Sequence, residues 1–280
     1  GFGASALINL TSGTQNIGFG TDVGAGLFTG TNNVLVGVLA NVAAAATLNS
    51  VGVGHSATIG DNAVAVGNSS IATDSSVAVG QAANSGAIQA VAVGRSSFGF
   101  AINTVAIGYT TIGFTAGSTV VGATSVSAGV DSVILGRASG SGAATGIDIT
   151  GVGFSVLTAL TTGTGNTAVG SGTLNADTTG DTNTAVGRFA LTANVSGSNN
   201  NALGAEALTT NVAGSRNNAF GVSALQLVTV SDNTAFGYQA LDALTTGMFN
   251  VGIGNDALGA ASTSSSNTAM GYNALIAVTT

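Results

Sequence analysis

The chain has no cysteine, proline, tryptophan or lysine, and charged residues fill only 5% of its 280 positions. Without cysteine there is neither a disulfide nor a thiolate metal site. The four arginines, Arg95, Arg137, Arg188 and Arg216, stand against eleven acidic residues for a net charge of −7. They are read as lying in different repeat columns, with no basic stripe to neutralise a phosphate backbone, which argues against nucleic-acid binding. Long apolar runs are also missing. Mean hydropathy is +0.51, yet the longest apolar stretch, Val34 to Ala46, is 13 residues and is interrupted by Gly37 and Asn41, so no membrane insertion is expected. His55 is the single histidine and Glu206 the single glutamate. The aspartates, among them Asp61, Asp74, Asp131, Asp148, Asp177, Asp181 and Asp232, are spread over the chain without a paired-carboxylate or calcium-loop spacing. No catalytic, metal or cofactor-binding residue is therefore predicted, and no enzyme. The chain opens inside a repeat and without methionine, which reads as a segment of a longer or processed polypeptide.

What is present is one phrase repeated. From Asn166 to Leu275 the chain reads NTAVGSGTL, NTAVGRFAL, NNALGAEAL, NNAFGVSAL, NTAFGYQAL, NVGIGNDAL and NTAMGYNAL. The glycine closing each core recurs at Gly170, Gly187, Gly204, Gly221, Gly237, Gly254 and Gly271, and backwards at Gly153, Gly136, Gly122, Gly108, Gly94, Gly80, Gly67, Gly54, Gly37, Gly20 and Gly3. These eighteen units fill the chain as a single repeat domain: 17-residue coils over 1–54, 13- or 14-residue coils over 55–136, and 17-residue coils, one of them 16, over 137–280. A period this strict means one structural unit stacked on itself. The predicted fold is all-β, a parallel β-roll or β-solenoid of about 18 coils.

The residue before each glycine is always apolar, including Val169, Val186, Leu203, Phe220, Phe236, Ile253 and Met270. The residue before that is Ala or Gly in fourteen of seventeen complete units, the exceptions being Leu35, Val120 and Ile134. Alternate strand residues face opposite sides, so the expectation is a large apolar ladder inside the roll and a small-residue face pressed against another chain. Four before the glycine, Asn166, Asn183, Asn200, Asn217, Asn233, Asn250 and Asn267 form a column, joined by Asn16 and Asn33. Its amides are expected to hydrogen-bond along the axis at a left-handed turn. A leucine column four after the glycine (Leu157 to Leu275) is assigned to a second strand, in preference to one helical turn. Ten after it, Gly13, Gly30, Gly146, Gly163, Gly180, Gly197, Gly214 and Gly247 are expected to require positive φ.

The middle units, NAVAVGNSS (Asn62 to Ser70), SSVAVGQAA (Ser75 to Ala83), QAVAVGRSS (Gln89 to Ser97) and NTVAIGYTT (Asn103 to Thr111), resemble the repeats of trimeric autotransporter adhesin heads. The flanking NTAxGxxAL units are similar to repeats in tail fibres of tailed bacteriophages and in related bacterial surface proteins. The resemblance implies a left-handed homotrimeric rod, with no catalytic residues. It also implies a setting in a virion tail fibre or at the cell surface. The expected function is a non-enzymatic fibre shaft in host attachment, with host-receptor contact through regions outside this segment. The alternatives are an adhesin head that itself binds cells, and a structural extracellular filament.

Overall fold

The computed structural model describes residues 1–127, 129–140 and 145–276, which contain strands, bridges and turns and no helix. They form two compact units, 1–126 and 127–280.

The first unit runs β1 (Ile17–Phe19), β2 (Val34–Val36), β3 (Asn41–Val42), β4 (Val51–Val53), β5 (Thr58–Ile59), β6 (Val64–Val66), β7 (Ile71–Ala72), β8 (Val77–Val79), β9 (Asn84–Ser85), β10 (Val91–Val93), β11 (Phe98–Gly99), β12 (Val105–Ile107), β13 (Ile112–Gly113) and β14 (Thr119–Val121). The three-residue strands are the repeat cores, paired parallel and in register, as in Val91↔Val105, Ala92↔Ala106 and Val93↔Ile107. The two-residue strands β3, β5, β7, β9, β11 and β13 form a second parallel sheet. Short coils thus carry a strand on each of two sides. Phe2, in the first repeat, makes an isolated bridge to Phe19.

The second unit runs β15 (Val133–Leu135), β16 (Thr150–Val152), β17 (Thr167–Val169), β18 (Thr184–Val186), β19 (Asn201–Leu203), β20 (Asn218–Phe220), β21 (Thr234–Phe236), β22 (Val251–Ile253) and β23 (Thr268–Met270). Each coil here contributes one strand, paired in the same register, for example Ala168↔Ala185 and Val169↔Val186. Both units are parallel β-solenoids.

The leucine arc departs from the expected second strand and equally from a helical turn. Leu174, Leu191, Leu208, Leu225, Leu241 and Leu258 have φ between 46° and 55° and are fully buried. Each arc is a pair of consecutive turns, closed in one coil by Ala240 N–H donating to Gly237 O (3.4 Å) and Leu244 N–H to Leu241 O (3.2 Å). A left-handed backbone costs an L-residue about 1–2 kcal/mol. Fully burying a leucine side chain contributes about 1.5–3 kcal/mol. The second term offsets the first, so leucine is held where turn chemistry alone would select glycine or asparagine.

The strand faces are the reverse of the sequence expectation. The Ala/Gly column points inward: Ala168, Ala185, Ala202, Ala219 and Ala235 have no exposed surface. The large apolar column, which includes Phe220 and Phe236, points outward. The coil is so thin that its interior is already filled by alanine from the strand, leucine from the turn and asparagine from the strand entrance. No bulky side chain fits opposite them.

Two glycine columns have different causes. Gly204, at φ 145°, also has its neighbour so close that a Cβ would lie 2.3 Å from Gly221 O. The ten-after column needs no positive φ except at Gly13. At Gly163 and Gly197 a Cβ would meet the carbonyl oxygen one coil on at 2.4 and 2.3 Å. Close stacking, rather than dihedral angle, excludes a side chain there.

Candidate interaction surface

The Asn column is what fixes the strand entrances. In each coil the side-chain Oδ1 accepts the backbone N–H of the next rung: Asn166 from Asn183 (2.9 Å), Asn183 from Asn200 (3.0 Å), Asn200 from Asn217 (3.0 Å), Asn217 from Asn233 (3.0 Å), Asn233 from Asn250 (3.0 Å) and Asn250 from Asn267 (3.0 Å). The Nδ2 atoms donate to carbonyls of the next coil's second turn, as in Asn166 to Gly180 (2.7 Å) and Asn183 to Gly197 (2.8 Å). The buried amides of this column are thereby spent inside the coil stack. The left-handed residue is the one before the asparagine, Thr182, Asn199, Arg216 and Asp232 among them, and not the asparagine itself.

With the interior closed, the outward strand face presents a run of apolar side chains in each unit. In the first unit both outward columns are aliphatic: Val51, Val64, Val77, Val91 and Val105 beside Val53, Val66, Val79, Val93 and Ile107. In the second unit one column is polar (Thr167, Thr184, Asn201, Asn218, Thr234) and the other holds Val169, Val186, Leu203, Phe220, Phe236, Ile253 and Met270. Phe236 is 58% exposed and Met270 74%, and the rings of Phe220 and Phe236 stack at 5.6 Å between centroids. No side chain in these columns is charged. Interruption by Asn201, Asn218 and Val251 also leaves the threonines short of the regular hydroxyl array an ice-binding face needs.

A second apolar patch lies on the other sheet of the first unit. Phe98 stacks on Phe100 (5.3 Å), and Phe100 on Phe114 (5.6 Å). Ile88 and Ile102, eight after their column glycines, are also exposed. The repeat pattern concealed this patch because its residues sit in the variable arc.

The arginines are less scattered than expected. Arg95, Arg137 and Arg188 each directly follow a column glycine, and only Arg216 lies elsewhere. Arg95 covers the Tyr109 ring at 4.6 Å and Arg137 the Phe154 ring at 4.6 Å, while Arg188 lies 4.8 Å from the Phe189 ring centroid and 3.1 Å from Glu206. Arg216 forms a two-pronged contact with Asp232, which holds the Asp232 carboxyl below its ordinary range and raises Arg216.

The remaining candidates are turn residues. His55 is exposed, its Nδ1 3.1 Å from Ser56 Oγ. Asp61 accepts from Leu48 N–H, Asp74 from Asp61 N–H, and Asp181 from Thr164 N–H. Among the described residues no three His, Cys, Asp or Glu side chains gather in one place, and no helix is long and apolar enough to cross a membrane. Asp177, grouped in the sequence with the scattered aspartates, is instead buried within the second unit. No protein-family model matches the chain, and a comparison with characterised proteins finds no match.

Proposed function

We propose that the chain is a non-enzymatic segment of a homotrimeric extracellular or virion fibre, most consistent with the shaft of a tail fibre used in host attachment. The observation that carries this reading is the outward, uncharged apolar strand column, repeated in register from coil to coil. An apolar stripe of this kind marks a contact surface with another protein. Covering one half-exposed aliphatic side chain per coil contributes roughly 1 kcal/mol. Repeated over many coils, this exceeds the about 4–15 kcal/mol that association costs. Self-association is favoured because identical copies present identical, uncharged columns at the same axial spacing. In this assembly the variable arcs and the Arg–aromatic pairs form the outer wall, and specific recognition belongs to regions outside this segment.

The Phe98, Phe100 and Phe114 patch favours the second reading, an adhesin head that binds cells itself. A labelled-segment binding assay on candidate host cells separates the two. The shaft reading expects no saturable binding by residues 1–280. Saturable, high-affinity binding that falls when Phe100 and Phe114 are changed to Ser overturns it in favour of the adhesin head.

A further inference from the structure

Seven residues after the column glycine, the second unit has an interior column of Leu160, Asp177, Asn194, Asn211, Val228, Leu244 and Ala261. Three consecutive polar rungs are thus bounded by Leu160 on one side and Val228 on the other. Asn194 Nδ2 donates to Asp177 Oδ1 (3.1 Å), and Asn211 Nδ2 contacts Asn194 Oδ1 at 3.4 Å. Each asparagine also donates Nδ2 to the carbonyl three residues on, Asn194 to Gly197 (3.0 Å) and Asn211 to Gly214 (2.8 Å).

Asp177 follows this pattern with one atom changed. Its Oδ1 takes the acceptor role, receiving Gly180 N–H at 3.0 Å as well as Asn194. Its Oδ2 is buried without a hydrogen-bond partner. In the next two rungs the second side-chain atom is an amide nitrogen, which donates. A carboxylate has no proton to donate, whereas a carboxylic acid has one. Asp177 is the one charged residue type among the fully buried side chains of the described residues, so ionising it leaves an uncompensated charge in the coil interior.

We propose that Asp177 is a proton-dependent latch: its neutral carboxyl completes the interior ladder of Asn194 and Asn211 and holds the surrounding coils closed, and its ionisation loosens them. Burial pushes the Asp177 carboxyl up to about 7, with the nearby Asp181 carboxylate acting in the same direction and the Gly180 N–H, Asn194 and the Thr178 N–H opposing it. The coil on one side, 154–170, has no charged side chain, and the coil on the other, 188–204, has Arg188, which is engaged with Glu206 at the surface. Because the folded-state value is raised above the ordinary 3.8, the stabilisation is complete below the ordinary carboxylate range and is lost as pH rises through about 7.

The test is amide hydrogen exchange at Gly180, whose N–H donates to Asp177, measured from pH 5 to pH 8 and corrected for intrinsic rates. Protection in the wild-type chain is expected to fall about tenfold per pH unit between pH 5 and pH 7. Asp177→Asn keeps the acceptor, supplies the donor and should flatten that dependence, while Asp181→Asn should leave the slope in place. Wild-type protection independent of pH overturns the latch, even if Asp177→Asn fails to fold. So does an unchanged slope in Asp177→Asn, or a slope abolished by Asp181→Asn.

Discussion

Asn183 and Asn200 are joined twice through one oxygen: Asn183 Oδ1 accepts both the backbone N–H of Asn200 at 3.0 Å and its side-chain Nδ2 at 3.1 Å. Backbone and side chain of one coil are thus referenced to the side chain of the coil before it, and the strand entrance cannot slip without breaking both bonds. The double contact recurs at Asn233 with Asn250 and at Asn250 with Asn267, and the backbone bond alone continues the ladder through the other rungs from Asn166 to Asn233.

Removing one rung tests that relationship. Asn200→Ala deprives Asn217 N–H of its acceptor in a buried setting, which costs about 1–3 kcal/mol. Asn201→Ala, on the outward face, should cost below about 0.5 kcal/mol. Denaturant midpoints of the two variants, compared with wild type, give the contrast. Equal midpoints for the two would show that the ladder carries no stability.

Gly163 and Gly165 are two residues apart and should respond in opposite ways. A Cβ on Gly163 would lie 2.4 Å from Gly180 O, whereas Gly165, at φ 64°, has no atom nearer than 3.7 Å to the added carbon. The equivalent positions in later coils already carry Thr182, Asn199 and Arg216 at φ 56° to 60°. Gly163→Ala should disrupt the stack, and Gly165→Asn should be neutral or stabilise by up to about 1 kcal/mol. Thermal unfolding of both variants checks this.

Ala185 and Ala202 are fully buried in adjacent coils, so Ala185→Phe or Ala202→Phe should prevent folding of the single chain. Inserting far more than one methylene into a filled interior exceeds the usual overpacking cost of about 1–3 kcal/mol. Loss of the β-sheet signal in circular dichroism is the expected result. A folded but dissociated chain would return these residues to an interchain contact.

Much of this was legible in the sequence, and the failures have a common physical origin. The Gly204 column and the Asn200 column announce themselves because each performs one backbone task that no other residue type performs. Alternation at Ala202 and Leu203 correctly signals a strand with two distinct faces. It misassigns which is inside, because the pattern carries no information about coil thickness. Leu208 was assigned to a second strand closing the core; left-handed leucine is disfavoured by local preference, and only burial in a closed coil reverses that. The burial of Asp177 was not read, although its column, running Leu160, Asp177, Asn194, Asn211, Val228, mixes apolar and amide residues at constant spacing. That mixture is the signature of an interior position and was available to be read.

Phe220 and Phe236 face outward in the single chain, so Phe236→Ala or Phe220→Ala should change chain stability by less than the about 3–5 kcal/mol typical of a buried phenylalanine. The main effect should fall on association, seen as a higher concentration needed for assembly. A full core-sized loss in a dissociated chain would place the rings inside.

The account's central claim is that the outward apolar column is covered by further copies of the chain, and the mass of the 26.5 kDa chain in solution tests it most directly. Sedimentation equilibrium is expected to give about three times the chain mass. Phe236→Asp together with Leu203→Asp, both outward, is expected to lower that mass with the β-sheet signal retained. A well-folded wild-type monomer at micromolar concentration would contradict the account.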